Sequence, residues 1–121
     1  MISFVRGDSF NFKVLLQQSD GSPLEEKDID TAIVTCRKYP NEDSKIIFEK
    51  NADKMTFDSD GYCHVEFLPE DTENLDYGTY YFDLEITLKN GYRKTRLWEF
   101  ELTKETTIHT HLTGVDVDIW T

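Results

Sequence analysis

The feature that most constrains this chain is an alternation of apolar and polar residues with a period of two. It is longest in residues 80–88, where every second residue is apolar: Tyr80, Phe82, Leu84, Ile86 and Leu88. Successive side chains of a β-strand point to opposite faces, so this alternation predicts a strand with one buried face. No helical period of comparable length occurs in the sequence.

The same alternation recurs along most of the chain. In residues 9–17 the inward residues are predicted to be Phe10, Phe12, Val14 and Leu16, with Leu15 as the one exception to the pattern. Further strands are predicted at 32–37 (Ala32, Val34 and Cys36 inward), 45–49, 55–57, 62–68 (Cys63, Val65 and Phe67 inward) and 92–103 (Trp98, Phe100 and Leu102 inward).

Turn-forming residues separate these segments. Ser19–Pro23 contains the Asp, Gly and Pro that tight turns use, and Asp58–Gly61 contains Asp and Gly. Asn90-Gly91 predicts a hairpin with a type I′ turn, in which both central residues have positive φ. Residues 69–75 begin with Pro and acidic residues, which predicts about one helical turn.

About seven short strands joined by turn-rich loops predict an all-β fold, an antiparallel β-sandwich. The length of 121 residues fits one domain. We assign residues 1–104 to the sandwich and residues 105–121 to a C-terminal strand-like extension.

The charge balance excludes several partners. Asp and Glu number 24 against 13 Lys and Arg, which gives a net charge of -11. Such a surface repels phosphate backbones and anionic membranes, so we expect no nucleic-acid and no membrane partner. The first residues do not resemble a signal peptide, and no apolar run approaches the roughly 20 residues of a membrane span.

Few residues suggest catalysis or metal binding, and we predict no catalytic site, no cofactor and no metal. His64 is placed on the polar face of its strand, and the chain contains no G-x-S-x-G nucleophile motif. His109 and His111 are spaced to share a metal, but solvent-facing histidines are the favoured interpretation. Asp58-x-Asp60-Gly61 resembles part of a calcium loop, yet lacks its bidentate Glu and is interpreted as a turn.

Two further motifs have structural interpretations. Cys36 and Cys63 are expected to be free, buried thiols, because the chain shows no secretion signal and their strands are not those that the immunoglobulin disulfide joins. Arg6-Gly7-Asp8 matches a tripeptide that integrins bind, but the favoured interpretation is a corner between two strands, with Gly7 making the turn.

Three motifs together resemble the small immunoglobulin-like domains of phage and prophage structural proteins, including the N-terminal domain of phage upper baseplate proteins. They are Arg6-Gly7-Asp8-Ser9, Asp20-Gly21-Ser22-Pro23 and Thr72-x-x-Leu75-x-x-Gly78-x-Tyr80-x-Phe82-Asp83-Leu84-Glu85. The resemblance implies an immunoglobulin-like sandwich that acts in a phage tail or baseplate through contacts with other phage structural proteins. It also implies synthesis in the bacterial cytoplasm and a final location in the virion. Because no fibre-forming region follows the domain, a small adaptor is expected.

The alternative function is a carbohydrate-binding sandwich module. Sugar rings stack on exposed aromatic rings, and five residues could serve this purpose: Tyr39, Tyr62, Tyr81, Tyr92 and Trp120.

The extension is the candidate interface. Its apolar and β-branched residues alternate in two strand-like pieces, which predicts pairing with a sheet edge, either in its own domain or in a neighbouring copy to form a homo-oligomer. The residues proposed for this contact are Ile108, His109, His111, Leu112, Val115, Val117, Ile119 and Trp120.

Overall fold

The computed structural model describes residues 2–104 and 115–119, which contain nine strands and one short α-helix. The strands are β1 (Ile2–Val5), β2 (Phe10–Gln17), β3 (Ile29–Arg37), β4 (Ile46–Asn51), β5 (Met55–Phe57), β6 (Tyr62–Phe67), β7 (Gly78–Leu88), β8 (Arg93–Thr103) and β9 (Val115–Ile119). The helix α1 spans Pro69–Thr72, so the predicted single turn is confirmed.

The strands form two sheets, a five-stranded one in the order β1-β8-β7-β3-β4 and a four-stranded one in the order β5-β6-β2-β9. All neighbours are antiparallel except β1 with β8 and β2 with β9. The neighbours β5-β6-β2 correspond to strands D, E and B of an immunoglobulin domain, and β3, β7 and β8 correspond to C, F and G. The fold is therefore the predicted immunoglobulin-like β-sandwich.

The predicted inward faces form the core. The alternating residues of β2, β3, β6 and β7 are buried as expected, and they enclose a cluster of Phe rings. The ring of Phe82 lies 5.1 Å from Phe12 and 5.3 Å from Phe67, centre to centre. In antibody domains a disulfide joins strands B and F at this level. Here the contact between Phe12 of β2 and Phe82 of β7 joins the two sheets.

A tyrosine corner opens β7. The Tyr80 hydroxyl donates a hydrogen bond of 2.7 Å to the Asp76 carbonyl oxygen, four residues upstream. The ring itself is buried, and burial raises the pKa of the hydroxyl. Immunoglobulin-like domains use such a tyrosine to fix the connection between strands E and F, so this bond holds α1 and the following loop against the sandwich.

Trp98 departs from the expected burial. Phe100 and Leu102 of β8 are buried as predicted, whereas Trp98 lies on the same face but is only half-buried. Its ring stacks on Phe82 at 5.2 Å. The next inward position on β8 is occupied by Arg96, so on this strand the apolar core ends at Trp98.

The Asn90-Gly91 hairpin does not have the predicted type I′ turn. Only Gly91 has positive φ, at 95°, and among the described residues no non-glycine residue does. The Gly91 amide donates to the Leu88 carbonyl, which closes a three-residue loop of a type I turn followed by a left-handed glycine. Asn90 instead uses its side-chain oxygen to accept the Tyr92 amide at 2.9 Å. The same backbone pattern recurs at Gly21 and Gly61.

Candidate functional site

The outer face of the five-stranded sheet carries an exposed apolar area, which we call the contact patch. It consists of Tyr39, Ile46, Tyr81 and Leu97. Tyr39 is 60% and Leu97 is 50% exposed. Strand register brings Ile46, Tyr81 and Leu97 together, since Arg37 pairs with both Ile46 and Tyr81, and Leu97 pairs with Asp83. Tyr39 follows in the loop after β3. A shallow depression of about 90 Å³ lies among Tyr39, Tyr81 and Leu97.

An ion pair lies beneath the contact patch. The Arg37 Nη1 and Asp83 Oδ2 atoms are 3.3 Å apart, and both side chains are about four-fifths buried. Burial raises the pKa of the Asp83 carboxyl, although the Arg37 charge opposes this shift. The Nε–H group of Arg37 is buried and has no hydrogen-bond acceptor within the described part of the chain. The patch thus combines apolar side chains with a partly desolvated charge pair.

The outer face of the four-stranded sheet holds a different feature, an open groove of about 600 Å³. Its polar lining comes from β2, β5, β6 and the turn before β5, and consists of Asn11, Lys13, Lys54, Thr56, His64 and Glu66. Register places Lys13 and Thr56 on either side of His64. The groove therefore runs across three neighbouring strands.

Side chains at one end of the groove are held in place. The Nε2 atom of His64 lies 2.8 Å from Asp58 Oδ2, and this hydrogen bond is the main cause of a lowered pKa at Asp58. Asp58 Oδ1 accepts the amides of Asp60 and Tyr62. Asp58 is thus engaged as a turn residue, as the sequence predicted. The Lys13 ammonium sits over the Tyr62 ring at 4.3 Å from its centre.

The residues considered for other chemistry are dispersed. In the described part of the chain, no three His, Cys, Asp or Glu side chains are grouped so as to hold a metal. His109 and His111 lie outside the described residues. Cys36 and Cys63 are buried free thiols in opposite sheets, and burial raises the pKa of each to about 12, so neither is poised as a nucleophile.

Arg6-Gly7-Asp8 forms the predicted corner between β1 and β2. Gly7 has a φ of 81°, and its amide donates to the Thr72 hydroxyl at 2.9 Å. The Arg6 guanidinium lies 4.0 Å from the Tyr77 ring centre and donates to the Leu75 carbonyl. These contacts engage Arg6 within the fold, which leaves it poorly placed for adhesion.

The candidate interface residues of the extension fall into two groups. Val115, Val117 and Ile119 belong to β9, which pairs with Lys13–Gln17 of β2 in the same chain. Ile108, His109, His111, Leu112 and Trp120 lie outside the described residues. Contact of the extension with other subunits, and the domain boundary after residue 104, stay predictions.

The aromatic residues considered for sugar stacking do not form one platform. Tyr39 and Tyr81 lie in the contact patch, Tyr62 lies on the opposite sheet beneath Lys13, and Tyr92 follows the β7–β8 turn. Trp120 is outside the described residues. Sequence reasoning missed Leu97, Lys13 and Lys54. Leu97 could have been found as an apolar residue at an outward position of a strand, whereas the lysines carry no local signal.

Comparisons with known proteins give no family. No protein-family model and no curated protein matches this chain. Similar solved structures include CopC from Methylosinus trichosporium OB3b, with 10% identity, a TM-score of 0.42, and coverage of 68% of this chain and 72% of that chain. Murine CRIg shows 11% identity, a TM-score of 0.43, and coverage of 84% and 88%. The immunoglobulin-like character of the fold follows from the chain's own strand order. No helix in the described residues is long and apolar enough to span a membrane.

Proposed function

We propose that this chain is a non-catalytic structural or adaptor protein of a phage or prophage tail or baseplate. It acts through contacts with other phage structural proteins, is made in the bacterial cytoplasm and is located in the virion after assembly. The tail and baseplate context is supported by the sequence resemblance around Thr72–Glu85. A binding role is supported by the surface of the sandwich.

The main support for a binding role is the contact patch. Contiguous exposed apolar side chains on a small soluble protein mark interaction sites, and the centres of interfaces are enriched in aromatic residues. Tyr39, Tyr81 and Leu97 fit this composition. The Arg37–Asp83 pair beneath them is already largely removed from water, so covering it with a partner adds little further desolvation cost.

Charges around the contact patch indicate the chemistry of the partner. The exposed residues Glu49 and Glu99 lie in its rim, because Glu49 pairs with Thr35 and Glu99 pairs with Tyr81 across neighbouring strands. With a net charge of -11, the whole chain adds to this negative field. Complementary charge speeds association and suppresses wrong partners. The partner surface is therefore basic around an apolar centre.

A co-expression experiment tests this function. The chain is produced together with the products of its neighbouring genes, and complexes are isolated by size-exclusion chromatography and identified by mass. Binding to a tail or baseplate protein is expected, with at least tenfold weaker affinity in Leu97→Asp. Thr31→Asp, an exposed position near the other end of the same sheet, is the matched control and keeps wild-type binding.

Two outcomes would refute the proposal. If no tail or baseplate protein among the neighbouring gene products binds the chain, the virion role is wrong. If such a protein binds Leu97→Asp as tightly as the wild type, the contact patch is not the binding surface.

A further inference from the structure

The groove on the four-stranded sheet concentrates positive charge on a strongly acidic protein. Lys13 and Lys54 both line it, next to His64, although acidic residues outnumber basic ones by 24 to 13 in the whole chain. At about 0.15 M salt, interactions between exposed charges beyond about 8 Å are largely screened. The charge that a small ligand experiences in the groove is therefore set mainly by the side chains that line it, two lysines against the single carboxylate of Glu66, with His64 paired to Asp58.

Strand geometry fixes two of the side chains that line the groove. Lys13 projects from β2 over the Tyr62 ring, and His64 projects from β6 and is bound by Asp58. Both positions lie within paired strands, where the backbone is held by the ladder. Side chains that are ordered before binding lose less conformational entropy when a ligand arrives, so the groove is partly preorganised.

The remaining lining suits hydroxyl groups. Asn11 and Thr56 can donate and accept hydrogen bonds, and the Glu66 carboxylate accepts them. All three are exposed at the groove. A volume of about 600 Å³ lies within the range of small-molecule sites, about 300–1,000 Å³, and exceeds what a single inorganic ion fills.

Among the described residues, the groove offers no free aromatic face for stacking. Phe12 lines it but has its ring in the core, and the Tyr62 ring is covered by Lys13. A neutral sugar, which depends on stacking and hydrogen bonds alone, would bind poorly. A ligand with both an anionic group and several hydroxyls would match the two lysines and the three hydrogen-bonding side chains Asn11, Thr56 and Glu66.

We propose that this groove binds an acidic saccharide, whose carboxylate or sulfate group lies between Lys13 and Lys54 and whose hydroxyls contact Asn11, Thr56 and Glu66. The site is separate from the contact patch, because it lies on the opposite sheet. Binding of an acidic saccharide is therefore independent of the contacts proposed for the tail or baseplate.

Isothermal titration calorimetry at about 0.15 M salt tests the proposal. The acidic probes are a trimer of galacturonic acid and a heparin tetrasaccharide, the neutral control is galactotriose, and inorganic phosphate tests for a bare anion site. We expect at least one acidic probe to bind, with galactotriose at least tenfold weaker. Lys13→Gln/Lys54→Gln should weaken acidic-probe binding at least tenfold, and the exposed single variant Lys54→Gln should do so about threefold, since each lysine contributes a local charge.

The matched control is Lys45→Gln/Lys89→Gln, which removes the same charge at exposed positions outside the groove and should bind like the wild type. Thermal unfolding of each variant separates loss of binding from loss of fold. The proposal is overturned if neither acidic probe binds, if galactotriose binds as tightly as the acidic probes, or if only phosphate binds. Equal weakening by the control pair would show that net charge, not the groove, governs binding.

Discussion

Among the described glycines, Gly61 leaves the least room for a side chain. Its φ is 94°, and an added Cβ would lie 2.8 Å from the Leu16 carbonyl oxygen and 2.9 Å from the Pro23 Cβ. Gly21 shares the positive φ, at 86°, but has no atom within 4 Å of such a Cβ. Substituting Gly21 therefore tests the strain of a positive φ alone, whereas substituting Gly61 adds steric overlap to that strain.

We predict that Gly21→Ala lowers the free energy of unfolding by about 1–2 kcal/mol, the cost of a left-handed backbone for a residue with a Cβ. Gly61→Ala should cost about 2–5 kcal/mol, because overlap with β2 and the loop that follows it adds about 1–3 kcal/mol. Urea unfolding of both variants measures the difference. Equal losses would mean that the Asp58–Gly61 turn does not pack against Leu16 and Pro23 as described.

At the residue scale, local signals in the sequence identified turns but not contacts. Asp58–Gly61 was predicted as a turn because Asp and Gly favour that backbone locally. The meeting of Lys13 with His64 depends on the pairing of β2 with β6, about 50 residues apart in sequence. The register between β2 and β6 cannot be deduced from either segment alone, so the groove could not be predicted from the sequence.

The two long strands β7 and β8 differ in how deeply they bury their aromatic residues. Phe82 is 1% exposed and contacts rings from both sheets, whereas Trp98 is half-buried at the end of the apolar stripe on β8. We predict that Phe82→Ala costs about 3–5 kcal/mol, and that Trp98→Ala costs at least about 1 kcal/mol less.

Urea denaturation of the two variants measures this order, with the exposed Tyr92→Ala as a control that changes stability by less than about 0.5 kcal/mol. A Phe82→Ala variant of near wild-type stability would show that β7 is shifted by one residue, since such a shift exchanges its faces.

At the scale of elements, alternation predicted the strands and their inward faces because a period of two is a local property. It could not predict which sheet the terminal strands join. β1 pairs with β8 in one sheet and β9 pairs with β2 in the other, and both pairings are parallel. Parallel neighbours are linked by long connections, so no hairpin signal marks them.

For the molecule as a whole, the two sheets present different outer faces. The five-stranded sheet carries the contact patch with acidic residues around it, and the four-stranded sheet carries the groove with two lysines. Composition predicted the acidic character of the chain but not this division, because net charge does not record how charges are distributed over a folded surface. A protein with two such faces can contact one partner while the other face stays open to a second ligand.

Strand β9 covers one edge of β2 in the four-stranded sheet. Within the described residues, β9 pairs with β2 of its own chain over Lys13–Gln17, so this edge of β2 needs no strand from a second copy, and we expect the 121-residue chain to be a monomer in solution. Deleting residues 106–121 removes β9 and leaves the backbone groups of this β2 edge without strand partners. We expect the deletion to lower the free energy of unfolding by more than about 1 kcal/mol and to increase self-association, because an unpaired strand edge pairs readily with another chain.

Deleting only residues 120–121 leaves β9 intact and serves as the control. Multi-angle light scattering across a concentration series gives the mass, and urea unfolding gives the stability. If the 121-residue chain is instead a closed oligomer that becomes a monomer on deletion, β9 is donated between copies and the extension is an assembly interface.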